Sequence, residues 1–167
     1  MVLMTLGALA LAAPQDPATD FFQKMEGEWS VRGTFEGQKD LQGTEEVERR
    51  MDGRWVVIEH KLDYGGKPYR GFCLMTFDPE KKTYTGTWMD DASAKPGVFE
   101  GKADADGTVT MRATSDMPMT RGWRITRWVF EQTGDDRRTV RVFGCEKADE
   151  QEKPIAELQY SRRSVAK

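Results

Sequence analysis

An all-β fold, an antiparallel meander closed into a barrel of about 8–10 strands behind one short N-terminal helix, is what this 167-residue chain predicts. Three observations carry the prediction. Apolar residues recur with a period of two from Trp29 onward, where Trp29, Val31, Gly33 and Phe35 share one face. Clusters of Gly, Pro and Asp interrupt that alternation at hairpin-sized intervals, and short links join antiparallel rather than parallel strands. Helical spacing is confined to a single segment.

That segment is Asp20–Gly27. Asp20 is placed to cap it, Gln23 stands three residues on, Phe21 and Phe22 reach Met25 along one face, and Gly27 ends it. About ten strands follow, near 28–37, 43–52, 54–64, 68–78, 82–90, 97–104, 107–115, 121–132, 138–147 and 154–163. Their links include Asp52-Gly53, Gly65-Gly66, the stretch from Asp78 to Lys81, Asp104 to Gly107 and Thr133 to Asp136. A sheet of so many twisted strands tends to curl and close, which removes its exposed edges. Several inward faces are readable: Tyr84, Gly86 and Trp88 against outward Thr83, Thr85 and Thr87; Cys73 with Met75 and Phe77; and Val56, Ile58, His60 and Leu62. Strand 121–132 is apolar on both faces, with Trp123, Ile125 and Val129 on one and Trp128 and Phe130 on the other. Both faces then need cover. The Phe21/Phe22 helix or a second copy of the chain, in a homodimer through the Trp128/Phe130 face, would provide it.

The first thirteen residues, MVLMTLGALALAA, end in Ala10-Leu11-Ala12 and read as a signal peptide, with 14–19 a linker and 20–164 one domain. The expected location is periplasmic or extracellular. No Lys or Arg precedes Lys24, so the leader lacks the usual basic start. It is also shorter than the ~20 residues that span a membrane, so no integral membrane segment is expected in the mature chain. With 25 basic and 28 acidic residues and no like-charge block, the chain carries no nucleic-acid footprint. Cys73 and Cys145 lack metal spacing and sit mid-strand among apolar neighbours, which favours buried thiols over one long-range disulfide.

A short helix, then Gly27-Glu28-Trp29 opening the first strand, then a meander and a late Tyr160-Ser161-Arg162 together resemble the calycin plan of lipocalin-like barrels. In that plan the Trp closes one barrel end and a late Arg packs over its ring. More specifically, Gly53-Arg54-Trp55, Phe77-Asp78 followed by Lys82-x-Tyr84, Trp88-Met89-Asp90 and Tyr160-x-Arg162 look like a bacterial domain-of-unknown-function family, the one numbered fifteen-seventy-nine. The resemblance covers roughly residues 20 to 163 and implies a fold, not an activity.

The resemblance makes Trp29 and Arg162 a structural barrel-closing pair worth ~1 kcal/mol or more as a cation–π contact. Arg163 takes Arg162's place if the strand register slips by one. His60, the single histidine, is aimed inward and resembles the haem-binding histidine of nitrobindin barrels; the chain departs from that family's glycine-rich first strand, and a hydrogen-bonded core role is the alternative. Asp90 and Asp91 are adjacent on a strand, point to opposite faces and cannot share a substrate. Asp104 to Gly107 resembles a calcium loop without its key carboxylates and reads as a hairpin turn. Arg112, Arg121, Arg124, Arg137, Arg138 and Arg141 are expected outward, balanced by Glu46, Glu48, Glu100 and Glu131. Arg127 shares a face with Trp123, Ile125 and Val129, so an inward reading makes it an internal ion pair or an anchor for an acidic ligand.

No nucleophile elbow, zinc motif or phosphate loop is present, so no catalytic residue, metal ligand or cofactor is assigned. The function expected is non-catalytic binding of a small apolar or amphipathic ligand by His60, Met75, Phe77, Trp88 and Arg127. The alternatives are a structural or oligomer-forming envelope protein whose barrel is filled, and a haem barrel or enzyme built on His60.

Overall fold

The computed structural model describes residues 17–113 and 122–164. Helix α1 (Pro17–Met25) leads into β1 (Gly27–Phe35), β2 (Gln38–Arg50), β3 (Trp55–Tyr64), β4 (Lys67–Asp78), β5 (Thr83–Asp90), β6 (Ser93–Ala103), β7 (Val109–Ala113), β8 (Ile125–Gly134), β9 (Arg137–Cys145) and β10 (Lys153–Arg162). Each strand pairs antiparallel with the next, and β1 pairs back onto β10, so the meander closes into a ten-stranded barrel. Closure leaves no strand edge among these ten to recruit another chain.

The elements lie close to where the alternation places them, and the differences have local causes. Helix α1 begins at Pro17 rather than Asp20, because proline suits the first turn of a helix, whose amide needs no partner there. Asp20 therefore sits within the first turn and pairs with Lys24 at 2.7 Å. The span 14–19 is thus helical from Pro17, not a linker throughout, while the leader 1–13 and residues 14–16 lie outside the described residues. Strand β2 starts five residues before the expected Gly43. Gly43 is no break but a close approach: a Cβ there would lie 2.2 Å from the carbonyl oxygen of Lys61. The expected strands 107–115 and 121–132 are described only outside 114–121.

Inside, the walls are apolar and the helix end is plugged. Phe21, Phe22 and Met25 are buried, and the Phe21 ring lies 5.2 Å from Tyr84 and 6.2 Å from Phe130. The far end is filled by strand residues, with Phe35, Tyr64 and Tyr69 in edge contact at 5.4 and 5.5 Å. Cys73 and Cys145 are buried free thiols.

Strand β8 resolves its two apolar faces in one direction. Trp128 and Phe130 turn inward, Trp128 stacking 6.3 Å from Phe99 and Phe130 meeting Phe21 of α1. Those rings fill the barrel, so the Trp128/Phe130 face, through which a homodimer was expected, is an inner wall. The outward face carries Arg127 and Val129, and long side chains cover it: Val129 lies opposite Arg141, and the Arg127 guanidinium sits 4.2 Å from the Phe143 ring.

Candidate functional site

A glutamate, a histidine and an arginine are buried together in this apolar barrel. Glu45 on β2 and His60 on β3 stand directly opposite each other across neighbouring strands, so both point inward. Arg138 on β9 stands opposite Tyr160 on β10 and points inward too. The three are 3%, 6% and 3% exposed, respectively. Glu45 lies between the other two: its Oε2 meets His60 Nε2 and its Oε1 meets Arg138 Nη2. The Arg138 guanidinium also packs 4.3 Å from the Tyr160 ring and 4.6 Å from the Trp29 ring. His60 meets the edges of Trp88 at 5.2 Å and Tyr160 at 6.2 Å. The Trp88 ring reaches this place because Gly71 leaves the wall bare, a Cβ there falling 2.2 Å from the indole.

Burial decides the charge states. It drives the His60 imidazole down from its ordinary 6.5 to about 3, so the ring is neutral near pH 7. A neutral imidazole facing a carboxylate places its proton on Nε2, which donates to Glu45, and leaves Nδ1 a bare acceptor. Burial also lowers Arg138, to about 10, which leaves it cationic at neutral pH. Tyr160 is raised to about 12 by burial and stays a neutral phenol. The cluster thus holds one positive and one negative charge. It is not fully paired, because His60 Nδ1 and Arg138 Nε and Nη1 have no hydrogen-bond partner, and Glu45 Oε1 is met by Arg138 as an ion contact alone.

Glu45, His60 and Arg138 border an interior cavity of about 30 Å³, walled by Met25, Ile58, Cys73, Met75, Trp88, Phe99, Trp128 and Phe130 among others. That is room for about one water, far below the ~300 Å³ at which small-ligand pockets begin. Two larger depressions, about 710 Å³ along Arg32, Lys39 and Asp40 and about 360 Å³ along Glu59, Arg70 and Met89, lie along the outer wall.

Between the cluster and solvent stands α1, held by its C-terminal carbonyls. Trp29 Nε1 donates to Met25 O at 2.8 Å, and Arg162 Nη2 donates to Lys24 O at 3.0 Å. Arg162 Nη1 donates to Glu26 O at 2.5 Å, while Arg49 pairs with the Glu26 carboxylate at 2.7 Å. These are the acceptors that a helix end leaves unpaired. The Arg162 guanidinium lies 4.3 Å over Trp29 as it does so. Arg163 points away and pairs with Glu28 at 3.2 Å.

Of the residues expected to form a pocket, His60, Met75 and Trp88 come together around the cavity. Phe77 shares their face but packs 4.8 Å from Tyr84 toward the helix end, away from the cavity. Arg127 is a correction: it lies on the outer wall, paired with Glu152 at 2.7 Å, because β8 buries its Trp128 side. Arg138 is the interior cation, and Glu45 its partner. Sequence reasoning placed Arg138 outward, although it continues the inward series Val140 and Val142 at a step of two, as Glu45 continues Val47. Asp90 accepts from Tyr69 Oη at 2.8 Å while Asp91 accepts from the Arg70 amide at 3.2 Å, so the two carboxylates diverge. The Gly107 amide donates to Asp104 O at 3.1 Å, closing a hairpin turn.

By sequence, no curated protein matches this chain. A solved structure with a similar fold is an S-type phycobiliprotein lyase from Guillardia theta, with a TM-score of 0.61 at 10% identity over 88% of this chain and 93% of that one. At that identity the likeness speaks for the barrel alone. The model of the family described as "Protein of unknown function (DUF1579)" matches residues 14–162, nearly the whole described chain, and the protein belongs to that family.

Proposed function

We propose that this protein is an exported, non-catalytic binder of one small apolar or amphipathic molecule, held inside the barrel beside Glu45, His60 and Arg138. The observation that carries the reading is the partly paired polar cluster. Burying charges costs several kcal/mol per ion, and stability alone gives no reason to place an ion pair and an imidazole where apolar side chains would pack at less cost. Unpartnered atoms on two of these residues, which line a cavity walled by tryptophan, phenylalanine and methionine, suit a ligand with one polar end. The apolar leader 1–13 with its Ala10-Leu11-Ala12 end supports export.

The cavity of about 30 Å³ requires that something move before a ligand enters. Helix α1 is that element, since Phe21, Phe22 and Met25 fill the barrel mouth and their withdrawal opens it onto the cluster. The same small cavity favours the second reading, a filled barrel with a structural role. Native mass spectrometry of the mature protein from its host, with titration by Nile red, separates the two. The expected result is a retained small molecule, micromolar dye binding with tryptophan quenching, and stronger dye binding in Phe21→Ala/Phe22→Ala. A bare chain that binds no dye with or without those substitutions supports the filled barrel. Amino-terminal sequencing of the same sample should begin between residues 12 and 16, and an intact Met1 overturns export.

A further inference from the structure

We infer that the ligand's polar end is an uncharged group with both a hydrogen-bond acceptor and a donor, as in a carboxamide or lactam, rather than a carboxylate or an amine. This deepens the binding reading above and rests on it.

The inference follows from which atoms of the cluster are already used. Arg138 spends Nη2 on Glu45 and keeps Nε and Nη1 as buried donors without partners. His60 spends Nε2 on the other Glu45 oxygen and keeps Nδ1 as a buried acceptor without a partner. An incoming group must therefore supply an oxygen to the guanidinium and an N–H or O–H to the imidazole. A bare carboxylate supplies the first and not the second. An ammonium supplies the second and meets the Arg138 charge.

Charge gives the same answer independently. Arg138 and Glu45 already cancel at 3% exposure each, so the cluster is electrically neutral. A carboxylate would bring a second negative charge beside Glu45 into a medium that screens poorly, and it would leave one net charge buried. A neutral amide adds none. It also makes hydrogen bonds to ionised and neutral partners that are otherwise left buried and unmet, the situation in which a site discriminates most strongly by head group. The body of the ligand is apolar and flat, because the cluster faces Trp88 and Trp128, whose rings stand 6.3 Å apart.

The test is a matched series on one apolar body: naphthalene-2-carboxamide, naphthalene-2-carboxylate and 2-ethylnaphthalene, titrated calorimetrically into the full mature chain near neutral pH. The carboxamide should bind about tenfold tighter than either analogue, equivalent to ~1.4 kcal/mol. His60→Leu, which removes the acceptor but keeps the Glu45–Arg138 pair, should erase most of that advantage without weakening the hydrocarbon. Arg138→Met should erase it as well; should that variant fail to fold, His60→Leu alone decides. Tightest binding by the carboxylate overturns the inference in favour of an anion site. Equal binding by all three overturns it while the binding reading stands. No binding by any of them, with or without Phe21→Ala/Phe22→Ala, withdraws both.

Discussion

The two ends of the barrel are closed by different means. At the far end the closing groups belong to the strands themselves: Phe35, Tyr64 and Tyr69 meet edge to edge, and Asp90 accepts from Tyr69 at 2.8 Å and from the Trp88 indole at 3.3 Å. Among the described residues, the groups that close that end are carried by the strands and cannot leave without pulling them apart. At the near end the plug is a separate nine-residue helix, held by three apolar side chains and by donors from Trp29, Arg49 and Arg162. Isolated helices of that length are marginal in water, so α1 owes its structure to docking. The contrast makes the near end the easier one to open, because lifting a docked helix would leave the strand ladder intact.

The largest expected effect is at the sealed end. Trp88→Ala should cost ~3–5 kcal/mol of global stability in a urea melt, as a buried indole leaves a cavity and Tyr69 and Asp90 lose a donor. Phe21→Ala/Phe22→Ala removes two rings yet should cost less, since its loss is capped at the free energy with which α1 docks. A double variant at least as destabilising as Trp88→Ala would show that the helix is part of the barrel's cooperative unit. Arg162→Ala should cost ~1–2 kcal/mol through lost stacking and packing and should raise hydrogen exchange in α1 while leaving β3 to β5 protected. Uniform loss of protection would erase the distinction between the ends.

How much of this contrast the sequence carried depends on how clean the alternation is. In β5, Tyr84, Gly86 and Trp88 face inward against Thr83, Thr85 and Thr87, because only one set is apolar and burial leaves no choice. In β8 both sets are apolar, so periodicity cannot choose, and Arg127 went to the wrong side with Val129. The cluster was hidden for another reason. Arg137 and Arg138 are neighbours, as are Glu45 and Glu46, so each inward charge sits beside an outward one of the same type. Composition cannot separate the members of such a doublet; only the step of two from Val140 and Val47 can. The ion pair itself joins strands 93 positions apart and had no local signature.

Acid acts on the layer between the ends. His60 titrates at about 3 in the fold and near its ordinary 6.5 when unfolded, so between those values the unfolded chain binds more protons. Its contribution is therefore complete above pH 6.5 and is lost as pH falls toward 3. His60→Gln keeps a donor for Glu45 and cannot titrate. Thermal melts from pH 7 to pH 4 should show the wild type losing several degrees more than His60→Gln, on top of the carboxylate effects common to both. Parallel losses in the two proteins would mean that His60 is protonated in the fold, which would also remove the bare Nδ1 acceptor.

The smallest expected effect sharpens the near end to a single residue. Arg162 and Arg163 are adjacent, and a strand slipped by one would exchange their roles. In the observed register Trp29 faces Arg162, while Arg163 reaches outward to Glu28 with both side chains about half exposed, 49% and 47%. An exposed pair of that kind contributes ~0–1 kcal/mol and fades in salt. The Arg163 amide still donates to Glu28 O at 2.8 Å, a bond that alanine retains. Arg163→Ala should therefore shift the urea midpoint by less than Arg162→Ala does, should lose that shift at high ionic strength, and should leave α1 exchange unchanged. If instead Arg163→Ala frees the helix and Arg162→Ala does not, β10 is inverted in its entirety. Leu158 and Tyr160 would then face outward, and the aromatic wall beside Arg138 would lose one of its two rings.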